Sequence, residues 1–333
     1  MSINPMVRRI GILTSGGDAP GMNAAIRGAV RTAQCIGVEC VGIRRGYAGL
    51  INGDFLQLGE RDVKGITKQG GTMLYTARSV EFTTEEGMKR AVDTCNHMGI
   101  EGLIVIGGDG TFRGARDLAD RGIKVIGIPC TIDNDIGCSS YTIGFDTACN
   151  TAIEAVDRLS DTMQSHERCS VVEVMGHRTG YLALNVGIAT GATITLIPEI
   201  EYDFDIDVVG RIRTARLAGR TNFTVIVAEG MEPVHSIAEK IINATGIETR
   251  VTALGHVQRG GTPLMRDRVC ATSMGHKAVL LLAQGKGNRI VTVDSNDITD
   301  IDINEALCMT KEFDFGLYKM FTALTFLDKN IID

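Results

Sequence analysis

Two carboxylates one residue apart, Asp133 and Asp135, follow the short apolar run Val125-Ile126-Gly127-Ile128 in the stretch Ile128-Pro129-Cys130-Thr131-Ile132-Asp133-Asn134-Asp135-Ile136-Gly137. The apolar run reads as a buried parallel strand, and Pro129, which has no N–H for a central ladder, marks its end. Ligands of open α/β sheets bind at the carboxyl ends of strands, so the pair stands where chemistry is done. Close carboxylates raise each other's proton affinity unless a cation or hydrogen-bond donors intervene. The pair therefore suits a general base, a metal ligand or one of each. An Asx turn capping a helix uses the same residue types for local geometry alone.

Two further loops join a strand to a helix start: Ser15-Gly16-Gly17-Asp18 and Gly107-Gly108-Asp109-Gly110-Thr111. Glycine there lets backbone N–H groups approach phosphate oxygens, and the helix N-terminus favours the negative charge. Asp109 is a hard oxygen ligand where Mg²⁺ on a polyphosphate would lie. Neither loop is a Walker A sequence or a clean G-x-G-x-x-G, and either alone could be a tight βα turn. Two of them together with the Asp pair favour phosphate chemistry. Arg78, Arg168, Arg250 and Arg259 fall near strand or loop ends, where guanidinium groups suit phosphate, although a surface ion pair is the commoner fate of a single arginine. His256-Val257-Gln258-Arg259-Gly260-Gly261-Thr262-Pro263 reads as a phosphate pocket. Glu229 ends an apolar run at a sheet edge, placed to accept a sugar hydroxyl. The acidic run 199–207 reads as a solvated loop with carboxylates near a helix start, and His97 and His276 as structural or solvated helix residues.

These residues need a scaffold of alternating strands and helices. Strands are expected at 9–13, 38–43, 102–106 and 124–128, with helices at 22–36, 88–98 and 112–120. A second series follows: helix 147–165, strands 170–175, 193–197, 223–228 and 249–254, helix 266–283, a last strand 289–293 and a mostly helical C-terminus. The 333 residues exceed one typical core. The expectation is an α/β protein of two Rossmann-like, doubly wound parallel-sheet domains that exchange chain more than once. Apolar content of 44% and charged content of 22% fit a globular protein, and a net charge of -6 argues against nucleic acid or an anionic membrane as partner. Nine Cys without C-x-x-C spacing suggest small buried hydrophobes in a reducing compartment. No membrane-length apolar run and no apolar signal core in 1–9 are visible, so a cytoplasmic protein is expected.

Taken together, the stretches 14–23, 107–111, 129–137, 170–176 and 254–263 resemble the bacterial ATP-dependent 6-phosphofructokinases, in order and over nearly the whole chain. Gly-Gly-Asp-Gly alone is shared with other kinases; Thr-Ile-Asp-Asn-Asp with His-Val-Gln-Arg-Gly-Gly is specific. The resemblance implies catalysis in the cleft between two domains, a nucleotide-binding one of residues 1–143 plus 257–306 and a sugar-phosphate-binding one of 144–256 plus 307–333. It implies that Asp133 takes the proton from the 1-hydroxyl of fructose 6-phosphate, the committed step of glycolysis, with ATP as donor. Thr131 and Arg78 would meet the transferred phosphoryl group, and Asp109 would hold Mg²⁺. Gly17, Ser79, Gly108, Gly110 and Thr111 would join Arg78 in the nucleotide site. Met175, Gly176, His177 and Glu229 match sugar-contacting positions. His256 and Arg259 match partners of the sugar 6-phosphate within the subunit, and Arg168 and Arg250 a pair reaching it from a neighbour in a homotetramer.

The chain departs from that pattern in places. His177 stands where Arg is usual, and Ser79 where an aromatic often packs by the nucleotide. Both motivate the alternative of a weakly catalytic regulatory homologue. Cys130 precedes Thr131 where ATP users carry Gly and pyrophosphate users Lys, while Gly110 lacks the second Asp of pyrophosphate users; a pyrophosphate donor is the other alternative. Arg27 and Arg31 match the family's ADP and phosphoenolpyruvate effector pocket, but Glu60 and Ser160 replace basic residues and Thr193 an acid. A weak or altered effector response is expected.

Overall fold

The computed structural model describes residues 4–295 and 297–326. In chain order the elements are β1 Arg9–Thr14, α1 Met22–Cys35, β2 Glu39–Ile43, α2 Gly46–Asn52, β3 Phe55–Leu58, α3 Glu85–His97, β4 Gly102–Gly107, α4 Asp109–Ala119, β5 Val125–Pro129 and α5 Phe145–His166. There follow β6 Cys169–Val174, α6 Tyr181–Ala189, β7 Ile194–Leu196, α7 Arg211–Leu217, β8 Phe223–Ala228, α8 Val234–Thr245, β9 Thr249–Ala253, α9 Met265–Ala283, β10 Arg289–Asp294, β11 Asp297–Asp302, α10 Ile303–Cys308 and α11 Phe315–Phe326. The chain divides into two compact units. The first comprises Met1–Ile132, Ile136–Thr147 and Arg259–Lys311, and the second Asp133–Asp135, Ala148–Gln258 and Glu312–Asp333. The sequence placed the divisions at 143/144, 256/257 and 306/307; residues 1–3, 296 and 327–333 of those spans lie outside the described residues.

The first unit is built on a seven-stranded sheet of order β11-β10-β5-β4-β1-β2-β3. Its five inner strands run parallel, and β4 is buried along its whole length, as continuous apolar runs demand when both faces are covered. The edge strands β3 and β11 are antiparallel, so the sheet is mixed. Both were missed, together with α2, and β10 is not the last strand. β11 reads Asp-Ile-Thr-Asp-Ile-Asp, a charged edge strand that blunts an open ladder and carries no apolar run to signal it. Helices α1 and α9 pack with little between them. A Cβ on Gly28 would come within 2.5 Å of the Thr272 carbonyl oxygen, and one on Gly275 within 2.3 Å of that of Ala25.

The second unit has a four-stranded parallel sheet of order β7-β8-β6-β9. Val171, Val225, Val227 and Phe223 face a core closed by Ile212, Ile237 and Ile241. Each such buried side chain contributes about 1.5–3 kcal/mol. The run 199–207 is not a purely solvated loop. Glu199 accepts the Gly180 N–H at 2.8 Å at the start of α6, and Asp203 accepts the Ile206 N–H at 2.9 Å and caps a π-helical turn, Phe204–Gly210. Helix starts leave N–H groups without partners, and carboxylates satisfy them. His276 is structural, with Nδ1 at 2.9 Å from the Thr32 hydroxyl. Among the described residues no helix is long and apolar enough to cross a membrane.

Candidate active site

In the first unit three loops leave the carboxyl ends of three adjacent strands, β1, β4 and β5, and backbone bonds stitch them together. Ser15 N–H donates to the Ile106 carbonyl at 3.0 Å, and Cys130 N–H to that of Gly107 at 2.9 Å. The Thr111 hydroxyl donates to the Ser15 carbonyl at 3.1 Å. A Cβ on Gly107 would lie 2.4 Å from both the Ser15 carbonyl oxygen and the Thr111 hydroxyl, which explains the glycine between strand and loop. Around Gly108 and Gly110 there is open space, as a ligand-facing backbone requires. This edge thus carries Gly17, Gly108, Asp109, Gly110, Thr111 and Thr131 together.

The segment holding Arg78 is fastened to the same edge by threonines. The Thr14 hydroxyl donates to the Tyr75 carbonyl at 2.9 Å, and that of Thr76 to the Gly16 carbonyl at 2.7 Å. Asn23 accepts the Met73 N–H at 2.8 Å and donates to the Gln69 and Gly70 carbonyls. Two residues beyond Thr76, Arg78 is exposed in a loop. Ser79 accepts the Phe82 N–H at 3.2 Å just before a 3-10 turn, Glu81–Thr83. Phe82 itself stacks on Tyr47 at 3.9 Å in the core. Arg259 rests on the first loop: Nη1 lies 3.5 Å from the Asp18 carbonyl oxygen and would meet a Cβ on Gly17 at 2.3 Å.

Asp109 is the first residue of α4, 54% exposed, and pairs with Arg113 one turn on at 2.9 Å. Among the described residues no three His, Cys, Asp or Glu side chains converge to hold a metal ion. One carboxylate beside two open glycines at a helix start fits a Mg²⁺ that arrives on phosphates; it does not fit an all-protein cage.

Asp133 is 8% exposed. Asn134, between the two carboxylates, has φ 53, a left-handed conformation that Asn tolerates. Asp135 Oδ2 is 3.8 Å from His177 Nδ1. His177 N–H donates to Glu229 Oε1 at 2.6 Å, and Glu229 N–H to the Val174 carbonyl at 2.8 Å. Met175, Gly176, His177 and Glu229 therefore share the carboxyl edge of β6 and β8, and His256 lies exposed after β9. Sequence reasoning passed over Gln258. It is wholly buried, accepts the Met175 N–H at 3.2 Å and donates to the Gly255 carbonyl at 3.0 Å, tying its loop to Met175. No periodicity marks an isolated buried glutamine.

Arg168 and Arg250 lie elsewhere. They sit at the amino ends of β6 and β9, and both pair with Glu248, Arg168 at 2.8 Å. Six strand residues separate that edge from Met175, roughly 20 Å. Cys130 is buried, and burial pushes its thiol well above the ordinary range, so it stays neutral beside Thr131. A cavity of about 570 Å³ is lined by Arg27, Arg31, Glu60, Arg61 and Lys64, with Arg31 ion-paired to Glu60. Thr193 is buried in the second sheet, where its hydroxyl accepts the Thr224 N–H at 3.2 Å.

The chain matches the family model described as Phosphofructokinase over residues 9–282. It is 49% identical over 320 residues to the ATP-dependent 6-phosphofructokinase of Clostridium tetani, covering 96% of this chain and 100% of that one. It is 49% identical over 319 residues to that of Brevibacillus brevis, again covering 96% and 100%. It is also similar to the solved phosphofructokinase structure from Saccharomyces cerevisiae, with TM-score 0.90 and 32% identity, covering 96% of this chain and half (50%) of the yeast chain. By its sequence over nearly all its length and by its fold, the chain belongs to the phosphofructokinase family.

Proposed function

We propose that this chain transfers the γ-phosphoryl group of ATP to the 1-hydroxyl of fructose 6-phosphate, giving fructose 1,6-bisphosphate and ADP, the committed step of glycolysis. The observation that carries the reading is the 49% identity to ATP-dependent 6-phosphofructokinases along their full length. Asp133 takes the hydroxyl proton as the 1-oxygen attacks the γ-phosphorus and ADP leaves. Thr131 hydrogen-bonds the phosphoryl group in flight and Arg78 neutralises its charge, so positioning and electrostatics supply most of the acceleration. The open backbone at Gly108 and Gly110, with Gly17 and Thr111 beside it, cradles the nucleotide phosphates. Asp109 would hold Mg²⁺, whose charge neutralises the phosphate oxygens. Met175, Gly176, His177 and Glu229 orient the sugar, and His256 and Arg259 meet its 6-phosphate. Arg168 and Arg250 come from a neighbouring copy in a homotetramer working in the cytoplasm.

ATP is the expected donor. Open space around Gly110, with no second carboxylate there, leaves room for a nucleotide phosphate, and the Cys130 thiol is neutral and buried. Fructose 6-phosphate assayed with ATP and with pyrophosphate should give turnover of roughly 1–100 s⁻¹ with ATP and at most traces with pyrophosphate. The reverse ratio would reassign the donor. Negligible turnover with both would favour the weakly catalytic homologue that His177 and Ser79 suggest.

The Arg31–Glu60 pair occupies a cation that an anionic effector would need. Initial rates across fructose 6-phosphate concentrations should show half-saturation moving by less than about threefold with ADP or phosphoenolpyruvate, a coupling below the usual allosteric range. A strongly sigmoidal curve collapsed by ADP would contradict this.

A further inference from the structure

Asp267, in the first turn of α9, is 0% exposed. Its carboxylate is held by one short segment. Its Oδ1 accepts the Gly144 N–H at 2.7 Å and the Tyr141 hydroxyl. Its Oδ2 accepts the Thr147 N–H at 3.0 Å and the Thr147 hydroxyl at 2.5 Å. The neighbouring Arg266 guanidinium lies 4.2 Å from the centre of the Tyr141 ring and holds the same segment from outside. Packing alone does not need a carboxylate here, because Ala271, Met274 and Ala278 fill the buried face of α9 further along. Four converging donors fix both oxygens, and so fix the position and tilt of residues 141–147.

That segment is one wall of the loop carrying Thr131. The Thr142 hydroxyl donates to the Thr131 carbonyl at 2.7 Å. Ile143 N–H donates to the Pro129 carbonyl at 3.2 Å, and Cys130 and Ile143 form a parallel bridge. On the other side Cys130 N–H is held by the Gly107 carbonyl at 2.9 Å. Residues 129–131 are thus clamped between the Gly-Gly-Asp-Gly loop and the segment that Asp267 anchors, and Asp133 follows two residues later.

We propose that Asp267 is a positioning residue for phosphoryl transfer, acting through residues 141–147 and the Thr142 hydroxyl to set Thr131 and Asp133 against the reacting phosphate. The inference rests on the roles assigned above to those two residues. Its test compares Asp267→Asn, Thr142→Val, Thr142→Ser and the double variant D267N/T142V, as full-length protein, for kcat, both KM values and thermal midpoint. Displacements of about 1 Å distant from the chemistry cost up to about 10²-fold, so D267N and T142V should each lose about 10–100-fold in kcat with both KM values nearly unchanged. T142S keeps the hydroxyl and should restore kcat to within about threefold of the unaltered enzyme. The double variant should lose little more than the worse single one, because the two act in series. Folded D267N or T142V with full kcat, no rescue by serine, or fully additive losses would overturn the proposal. If D267N does not fold, the Thr142 pair decides alone. Asp133→Ala, run alongside, separates the two levels: activity in that variant removes the underlying assignment, whereas its loss with full kcat in T142V removes only this inference.

Discussion

Asp133→Ala lowers kcat by about 10²–10⁴-fold, the usual contribution of a general base, equivalent to about 2.7–5.5 kcal/mol of barrier. Asp133→Asn should lose as much, since the amide matches the carboxylate in shape and hydrogen-bonding reach but takes no proton. KM for both substrates should move far less, because the base acts on the hydroxyl in the transition state and adds little to ground-state binding. The side chain is 8% exposed, so the alanine variant leaves a small buried gap, and its thermal midpoint must be measured with the kinetics. Steady-state assays of purified, folded variants decide the point. An Asn variant within tenfold of the unaltered kcat would remove Asp133 from the role of base. Asp135 would then be the carboxylate to test, although its approach to His177 at 3.8 Å gives it a different neighbour.

Much of this arrangement is legible in the sequence because it is written locally. The strands that end at the site are short apolar runs, and the loops after β1 and β4 declare themselves by glycine and aspartate within five residues. What escapes is written across long separations. Asp267 looks like an ordinary charged residue at a helix start, yet its partners are 120 and more positions away in sequence. Gln258 looks like one polar residue of an exposed loop, but it is fully buried because it satisfies the Met175 N–H 83 positions earlier. The carboxylates of 199–207 read as lying near a helix start, which Asp203 bears out locally, but nothing nearby shows that Glu199 serves the start of α6 at Gly180, 19 positions earlier. Ser79 was set beside the nucleotide by analogy of position, while its hydroxyl is engaged by the Phe82 N–H. The antiparallel edges escape for other reasons: β3 is only four residues long, too short for a periodic signal, and β11 is an aspartate-rich edge strand with little of the apolar pattern that marks a buried one.

Mixing two variants that are each nearly inactive at low fructose 6-phosphate restores activity if the arginine pair serves a neighbour. Arg168 and Arg250 lie at the amino edge of the second sheet, while Met175, His177 and Glu229 lie at its carboxyl edge roughly 20 Å away, farther than a single hexose phosphate reaches. That separation makes a neighbouring copy the natural source of the arginines. Loss of both arginines in R168A/R250A removes charge-assisted bonds worth about 1.5–3 kcal/mol each, so KM for fructose 6-phosphate should rise at least about a hundredfold while KM for ATP hardly changes. When this variant is unfolded and refolded with Asp133→Ala, a site that takes Asp133 from one copy and the arginines from another is whole in about a quarter of random pairings. Activity at low fructose 6-phosphate should then recover toward about a quarter of that of the unaltered enzyme, from near zero in either parent. If both sets belonged to the same chain, every hybrid site would lack one of them, and mixing would restore nothing. Glu248 gives the result a second handle: it pairs with both arginines in the isolated chain, so E248Q in the R168A/R250A background should change nothing further, whereas alone it should alter only the fructose 6-phosphate dependence.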